Sequence, residues 1–326
     1  MESLPVLGAL QMAPVRFHLQ TTGAWHAPGW PGSKLRGGFG TALRRLHCTT
    51  GLSECEGCAE RLKCQYSTIF ETPVAADRFP LLRKYPNAPH PYSLRVPHDL
   101  GEQLEPGQRF SFDIVLFGFA IEGVMGVAES IHRMGIDGSY GGPFRIERLS
   151  SPLTGETLWP GASLPSTIPL WRPTVLRGRV SRARLEFRYP LRLKTDGQWN
   201  TAPSFEEIVR GLLRRTYLIA RLYGGAEEEF AVLHPWIELA RAARVRNCGW
   251  QKADWQRFST RAEQHQPLTG ATGFVEVEGE LDELVPFLDA GQYVMAGSGT
   301  GMGCGAYLLT VASESSKSRW HLPTTL

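Results

Sequence analysis

The sequence predicts an α+β chain built from two tandem ferredoxin-like (RRM-like) domains, the second ending in a glycine-rich loop. Three observations carry that reading. The order strand, helix, strands, helix, Gly loop, strand occurs twice. The length, 326 residues, suits two domains of ordinary size. Five glycines stand at alternate positions from Gly297 to Gly305, and a weaker copy of that run, Gly135 to Gly142, closes the first half.

Each element has a local reason. Val15 to Thr21 alternates like a strand. A turn with Pro28, Pro31 and Gly32 follows, and Ser33 is placed to cap a helix from about Lys34 to Leu46. Its apolar face is Leu35, Phe39, Ala42, Leu43 and Leu46. Strand candidates come at Tyr92 to Val96 and Arg109 to Phe117, then a helix from Glu122 to Met134 and a strand from Arg145 to Leu149. In the second half Val180 to Lys194 reads as a strand, with Pro190 marking an edge or a bulge. Ser204 and Glu207 form a capping box for a helix ending near Gly224. Gly273 to Val277 and Tyr307 to Val311 read as strands, with a short helix from Leu281 to Ala290. The domains are expected at 1–155, with a cysteine-rich insertion at about 47–66, and at 172–326.

The formal charge is only +3, so composition does not announce a nucleic-acid partner and charge placement must. From Arg182 the alternation is nearly strict. Ala183, Leu185, Phe187, Tyr189, Leu191 and Leu193 face one way; Arg182, Arg184, Glu186, Arg188, Arg192 and Lys194 face the other. Arg177 and Arg179 lie just before this stripe. Arg210, Arg214 and Arg221 recur near one face of the next helix, and Arg241, Arg244, Arg246, Lys252, Arg257 and Arg261 follow in the connection. Beside a Gly loop this pattern points to a groove that tracks phosphates. Gly297, Gly299, Gly301, Gly303 and Gly305 would let backbone N–H groups close on a phosphate chain. The loop lacks the Lys-Ser/Thr of a nucleotide P-loop and precedes a strand, which argues against a dinucleotide fingerprint. No basic leader is evident, and the apolar run Ile114 to Ala128 is interrupted by Glu122 and too short to span a bilayer. A soluble cytoplasmic protein with no membrane partner is expected.

Cys48, Cys55, Cys58 and Cys64 cluster, whereas Cys248 and Cys304 are isolated. In a reducing compartment such a cluster suggests metal before disulfide. Only the central C-x2-C has knuckle spacing. Four thiolates suit a structural Zn²⁺, an iron–sulfur cluster is the alternative, and four reduced thiols held by packing are the third reading.

The segment Pro31-Gly32-Ser33-Lys34-Leu35-Arg36-Gly37-Gly38-Phe39-Gly40-Thr41-Ala42-Leu43-Arg44-Arg45-Leu46 resembles the G-S-x-L-R-G-x-x-G-x-x-L-R signature of RAMP-superfamily CRISPR proteins. The continuation through the four cysteines to Gln65-Tyr66 and Phe70-Glu71-Thr72-Pro73 is similar to one branch of it. That branch is the CRISPR-associated endoribonuclease that cuts precursor CRISPR RNA within its repeats, the sixth Cas family. The terminal Gly loop is similar to the family's own. The resemblance implies paired ferredoxin-like domains around a basic cleft for repeat RNA. It also implies metal-independent cleavage that leaves a 2′,3′-cyclic phosphate and a 5′-OH, with no cofactor for catalysis and with other Cas effector subunits as partners. In the family the catalytic histidine lies in or before the first helix. His26 and His47 fit that position, with Lys34, Arg36 and Tyr140 as positioning or transition-state candidates. For His18, His90 and His98 a packing role is the expectation. A non-catalytic RAMP subunit bound to guide RNA is the alternative, and a zinc-stabilised module for protein or DNA a third class.

Overall fold

The computed structural model describes residues 6–27, 29–73, 88–98, 100–159, 167–173, 179–259, 264–313 and 320–321. Pro28, Arg177 and Arg261 fall outside the described residues.

The first domain comprises β1 (Met12–Thr21), β2 (Trp25–His26), α1 (Pro31–His47), β3 (Tyr92–Arg95), β4 (Gln103–Leu104), β5 (Arg109–Phe117), α2 (Val124–Asp137), β6 (Phe144–Ser150) and β7 (Thr157–Trp159). The second comprises β8 (Val180–Leu191), β9 (Lys194–Thr195), β10 (Gln198–Trp199), α3 (Phe205–Tyr223), α4 (His234–Ala242), β11 (Arg244–Ser259), β12 (Gln264–Glu278), α5 (Val285–Val294), β13 (Leu308–Ser313) and β14 (Trp320–His321). The sheet orders are β3-β5-β1-β6-β7 and β11-β12-β8-β13-β14. With strands 1 to 4 of each repeat counted along the chain, both orders read 2-3-1-4, so the duplication seen in the sequence is a duplication of topology.

Strand alternation divides the first sheet between two cores. Phe110, Phe112, Ile114 and Leu116 of β5 pack with Leu35, Phe39 and Leu43 of α1 and Val127 and Ile131 of α2. Val115 and Phe117 face the other way and join Leu212 of α3 and Leu288 of α5. The first sheet is therefore buried on both faces, and one of those faces is the domain interface. Polar welds run across it. Ser93 donates to the Tyr293 carbonyl at 2.6 Å, and buried Arg95 reaches both Asp113, at 3.3 Å, and the Tyr293 ring, at 4.9 Å. Trp171 ties its backbone N–H to Met12 O at 2.9 Å and its indole to Asp289 of α5 at 3.2 Å.

Three local expectations change. The helix α1 starts at Pro31 with Trp30 as N-cap, and Ser33 makes no cap hydrogen bond. Proline at the first helical position needs no N–H partner, so the first turn begins there. Pro190 does not lie on an edge strand, because β8 is central in its sheet. The bulge alternative holds: the register to β12 slips between Ala271 and Gly273, opposite Phe187 to Leu191, which frees Pro190 from the ladder. The basic connection after α4 is a hairpin whose strands run 16 and 15 residues. β11 is mostly exposed and so carries little inside–outside alternation to read, whereas β12 buries Val275 and Val277 within the stretch the sequence marks as a strand. The capping box of α3 is formed, with Ser204 Oγ accepting from Glu207 N and the Glu207 carboxylate from Ser204 N.

Candidate functional site

The N-terminus of α1 meets the glycine loop at the seam between the domains. Trp30 donates its indole N–H to Met302 O at 2.5 Å, and its ring lies 4.4 Å from Tyr189 and 5.3 Å from Trp255. A Cβ at Gly32 would stand 2.2 Å from Met302 O, so only glycine permits this approach. The loop is chiefly cement. Thr300 to Tyr307 are buried, and the N–H groups of Ser298, Met302, Gly303, Cys304 and Gly305 are satisfied within the domain. Gly301, Gly303 and Gly305 are thus packed away, and the part left open is Gly297 to Gly299.

Three arginines approach this seam. Arg36, on the first turns of α1, lies 4.4 Å over the Phe70 ring and 3.3 Å from His90 Nε2. Arg192, just past β8, donates to Thr269 O at 3.1 Å and sits 4.2 Å over Trp199. Arg257 of β11 donates to the Gln266 side chain. Burial lowers the pKa of Arg257, and the positive charges of Arg36 and Arg192 lower it further. Arg192 is likewise lowered, first by burial. Among the described residues none of the three has a carboxylate partner. A half-buried Arg257 repelled by the nearby charges of Arg36 and Arg192 makes a site that gains from an anion.

Beneath Arg36 the histidine His90 stacks between Phe70 and Tyr92. Burial, then the charges of Arg36 and Arg215, push its pKa down to about 3, so it is neutral packing. His18 is also lowered by burial and is held by Ser150 at 2.8 Å. His98 is exposed, with its ring 6.0 Å from Tyr189 at the same seam.

The other sequence candidates separate. His26 is exposed on β2, in the segment that enters α1, with its backbone N–H on Gly141 O at 2.6 Å. Lys34 is half-buried in the first turn of α1. Tyr140 packs against Gly37 and Gly38, its hydroxyl 2.6 Å from Thr41 Oγ1. His47 closes the 17-residue helix, about 24 Å from its start. Its carbonyl accepts from Cys64 Sγ at 3.6 Å, so it belongs with the cysteines.

The remaining basic residues do not form one groove. The apolar face of β8 packs on α3, so Arg210 and Arg214, on the outside of α3, lie across the sheet from Arg182, Arg184 and Arg188. Most of these cations meet carboxylates: Arg188 with Glu186 at 2.9 Å, Arg184 with Glu276 at 3.8 Å, Arg210 and Arg241 with Glu206, and Arg244 and Arg246 with Glu278. Arg192, in the predicted stripe, has no carboxylate partner among the described residues and reaches the seam. Trp30 and Trp255 escaped the sequence reading, and Arg257 was named there only as one of the basic residues of the connection. The signal available was aromatic residues interleaved with basic ones along β11, a pattern that suits base stacking.

Among the described residues no helix is long and apolar enough to cross a membrane, and no group of three or more His, Cys, Asp or Glu side chains stands close enough together in this structure to hold a metal ion.

Comparison with known proteins follows the same division. Residues 185–307 match the family model described as CRISPR-associated endoribonuclease Cas6, and residues 10–168 match one described as an N-terminal domain, AF_1859_N. No curated protein matches the chain. Among solved structures, a partial Cas6-RT-Cas1–Cas2 complex aligns with TM-score 0.58 at 11% identity, covering 96% of this chain and 48% of the other. The chain therefore spans about half the length of that neighbour, and 30% of the chain in a further Cas6-RT-Cas1–Cas2 complex. A Cas6 product complex aligns with TM-score 0.54 at 14% identity, covering 92% and 99%. Cas6 of Thermus thermophilus aligns with TM-score 0.51 at 13% identity, covering 92% and 98%. At these identities the likeness establishes the tandem fold.

Proposed function

With a Cas6-family domain over residues 185–307 and the fold of Cas6 structures throughout, we propose that this chain is an endoribonuclease that cuts CRISPR repeat RNA and holds it at the interdomain seam. The observation that supports this best is the convergence of Arg36, Arg192 and Arg257, unpaired with carboxylates, on the seam where α1 begins.

The chemistry follows from these groups. His26, exposed in the segment that enters α1, takes the proton of a ribose 2′-OH as general base. The oxygen attacks the adjacent phosphorus, and the phosphorane gains negative charge. The three guanidiniums stabilise that charge more than they stabilise the ground-state phosphodiester. Expulsion of the 5′-oxygen leaves a 2′,3′-cyclic phosphate, and the departing oxygen takes a proton from solvent to become the 5′-OH. Lys34 adds positive charge from the first turn of α1. Tyr140, tied to Thr41, positions the helix that carries Lys34 and Arg36. Trp255, half-buried against the buried rings of Trp30 and Tyr189, is the ring offered to a base beside the scissile position. No step requires a metal ion, because the guanidiniums supply the cationic charge. Product RNA retained on the seam would place the chain among other Cas subunits.

The test is cleavage of repeat RNA by the purified chain in excess EDTA, with the product ends identified. A single cut leaving a cyclic phosphate is expected. Tight binding without cleavage would instead mark a non-catalytic RAMP subunit, and neither binding nor cleavage would overturn the reading.

A further inference from the structure

We propose that Cys48, Cys55, Cys58 and Cys64 bind one Zn²⁺ as a tetrathiolate centre that pins the far end of α1 to the turn carrying Phe70. All four cysteines are unbridged, and all four line one small cavity. Two ligands are held by rigid elements: Cys48 caps the C-terminus of α1, and Cys64 precedes the helical turn Ser67–Glu71. The other two share a knuckle, in which Cys58 N donates to Cys55 O at 3.2 Å. One hydroxyl, Thr50 Oγ1, lies 3.8 Å from Cys48 Sγ and 3.6 Å from Cys58 Sγ, which places those sulfurs on the same side of the loop.

The surroundings fit a metal better than a packed loop. From Thr49 to Lys63 every residue is exposed except Cys55, Cys58 and Arg61. Leu52 and Leu62 are 50% and 68% exposed, so the insertion buries almost no apolar side chain of its own. A loop of that length without a core needs another tether. Arg61 also lines the cavity, and its buried Nε has no partner among the described residues. Arg44 reaches in from α1 to the carbonyls of Leu52 and Ser53. A Zn²⁺ held by four thiolates carries a net charge of −2, and these two guanidiniums offset it. Each thiol loses its proton to solvent as its Zn–S bond forms, and no oxidant is needed. Four sulfurs leave no open position for water, so the role is structural. The structure it would brace is specific: Phe70 stacks on His90 and lies under Arg36, which links the knuckle to the seam.

The test uses the full chain purified without chelator. Its metal content is measured by mass spectrometry, and its thiols are titrated with a mercurial while a chromogenic chelator reports released zinc. One zinc per chain is expected, released as four thiols react, with Cys55→Ser reducing the content to about a tenth and Cys248→Ser leaving it unchanged. If Cys55→Ser does not fold, the titration of the unaltered chain still decides. Four freely reacting thiols with no zinc, even after incubation with Zn²⁺ and desalting, would overturn the proposal. Iron with visible charge-transfer absorption would replace it with a cluster.

Discussion

The seam between the domains and the outer face of the second sheet hold the same residue type in opposite states. On that outer face Arg184, Arg188, Arg244 and Arg246, and on the helices across the sheet Arg210 and Arg241, sit beside glutamates in water. At the seam, Arg36, Arg192 and Arg257 are half-buried, meet rings, carbonyls and amides, and raise one another's energy. The difference teaches that a count of cations says little about where an anion binds. A cation already paired in high dielectric has little to gain from phosphate, whereas a desolvated and repelled one has much.

That contrast can be broken most directly at the seam. Replacing His26 by Ala should slow cleavage roughly 10²–10⁴-fold while leaving repeat binding within a factor of a few. His47→Ala should leave the rate near wild type, and single-turnover kinetics beside a binding titration compares the two. Arg36→Ala or Arg257→Ala should cost about 10²–10³ in the single-turnover rate. Rescue of Arg36→Ala by Lys would show that charge alone suffices there, and failure would show that the planar stack on Phe70 matters.

A second strain falls on the cement. Gly305 has φ of 76°, and a Cβ there would stand 1.8 Å from Ala296 O. Gly305→Ala should therefore lower stability by about 2–4 kcal/mol, read from denaturant midpoints. It should also weaken RNA binding more than any outer arginine does.

Acid should weaken the seam too. His90 is depressed to about 3 in the folded state against an ordinary value near 6.5. The unfolded chain therefore binds the proton first. The stability His90 contributes is complete above about pH 6.5 and falls by about 1.4 kcal/mol per unit as the pH drops toward 3. Unfolding followed across that window should flatten in His90→Gln, and an unchanged slope would remove His90 from the account. The smallest effect belongs to the outer face. Arg184→Ala or Arg210→Ala should change stability by less than about 1 kcal/mol and the slope of binding against salt by no more than about one counterion. A larger loss at Arg184 than at Arg192 would reverse the comparison.

Much of the fold was legible because it depends on local periodicity. The apolar face of α1, the alternation of β8 and the capping box of α3 each name their element from neighbours in sequence, and the repeated order named the tandem topology. The RAMP-like segment after Trp30 drew attention to the helix that meets the glycine loop at the seam. Of the long hairpin only Gly273 to Val277 in β12 was legible, where Val275 and Val277 face the core; β11 is mostly exposed and lacks the alternation by which a strand is recognised. The glycine loop was legible as a loop but misread in its surroundings, because its glycines reflect the close approach of Gly32 to Met302 and of Gly305 to Ala296 as much as any ligand.

What the sequence by itself determined is the set of elements, their duplicated order and the residue types able to do the chemistry. Periodicity, caps and composition are local quantities and survive without coordinates. The folded structure alone decided that β8 is central, that α3's arginines lie across the sheet from β8's, and that Arg36, Arg192 and Arg257 come together from three separate elements. Desolvation and charge repulsion depend on which groups the fold brings within a few ångströms, and no spacing along the chain encodes that.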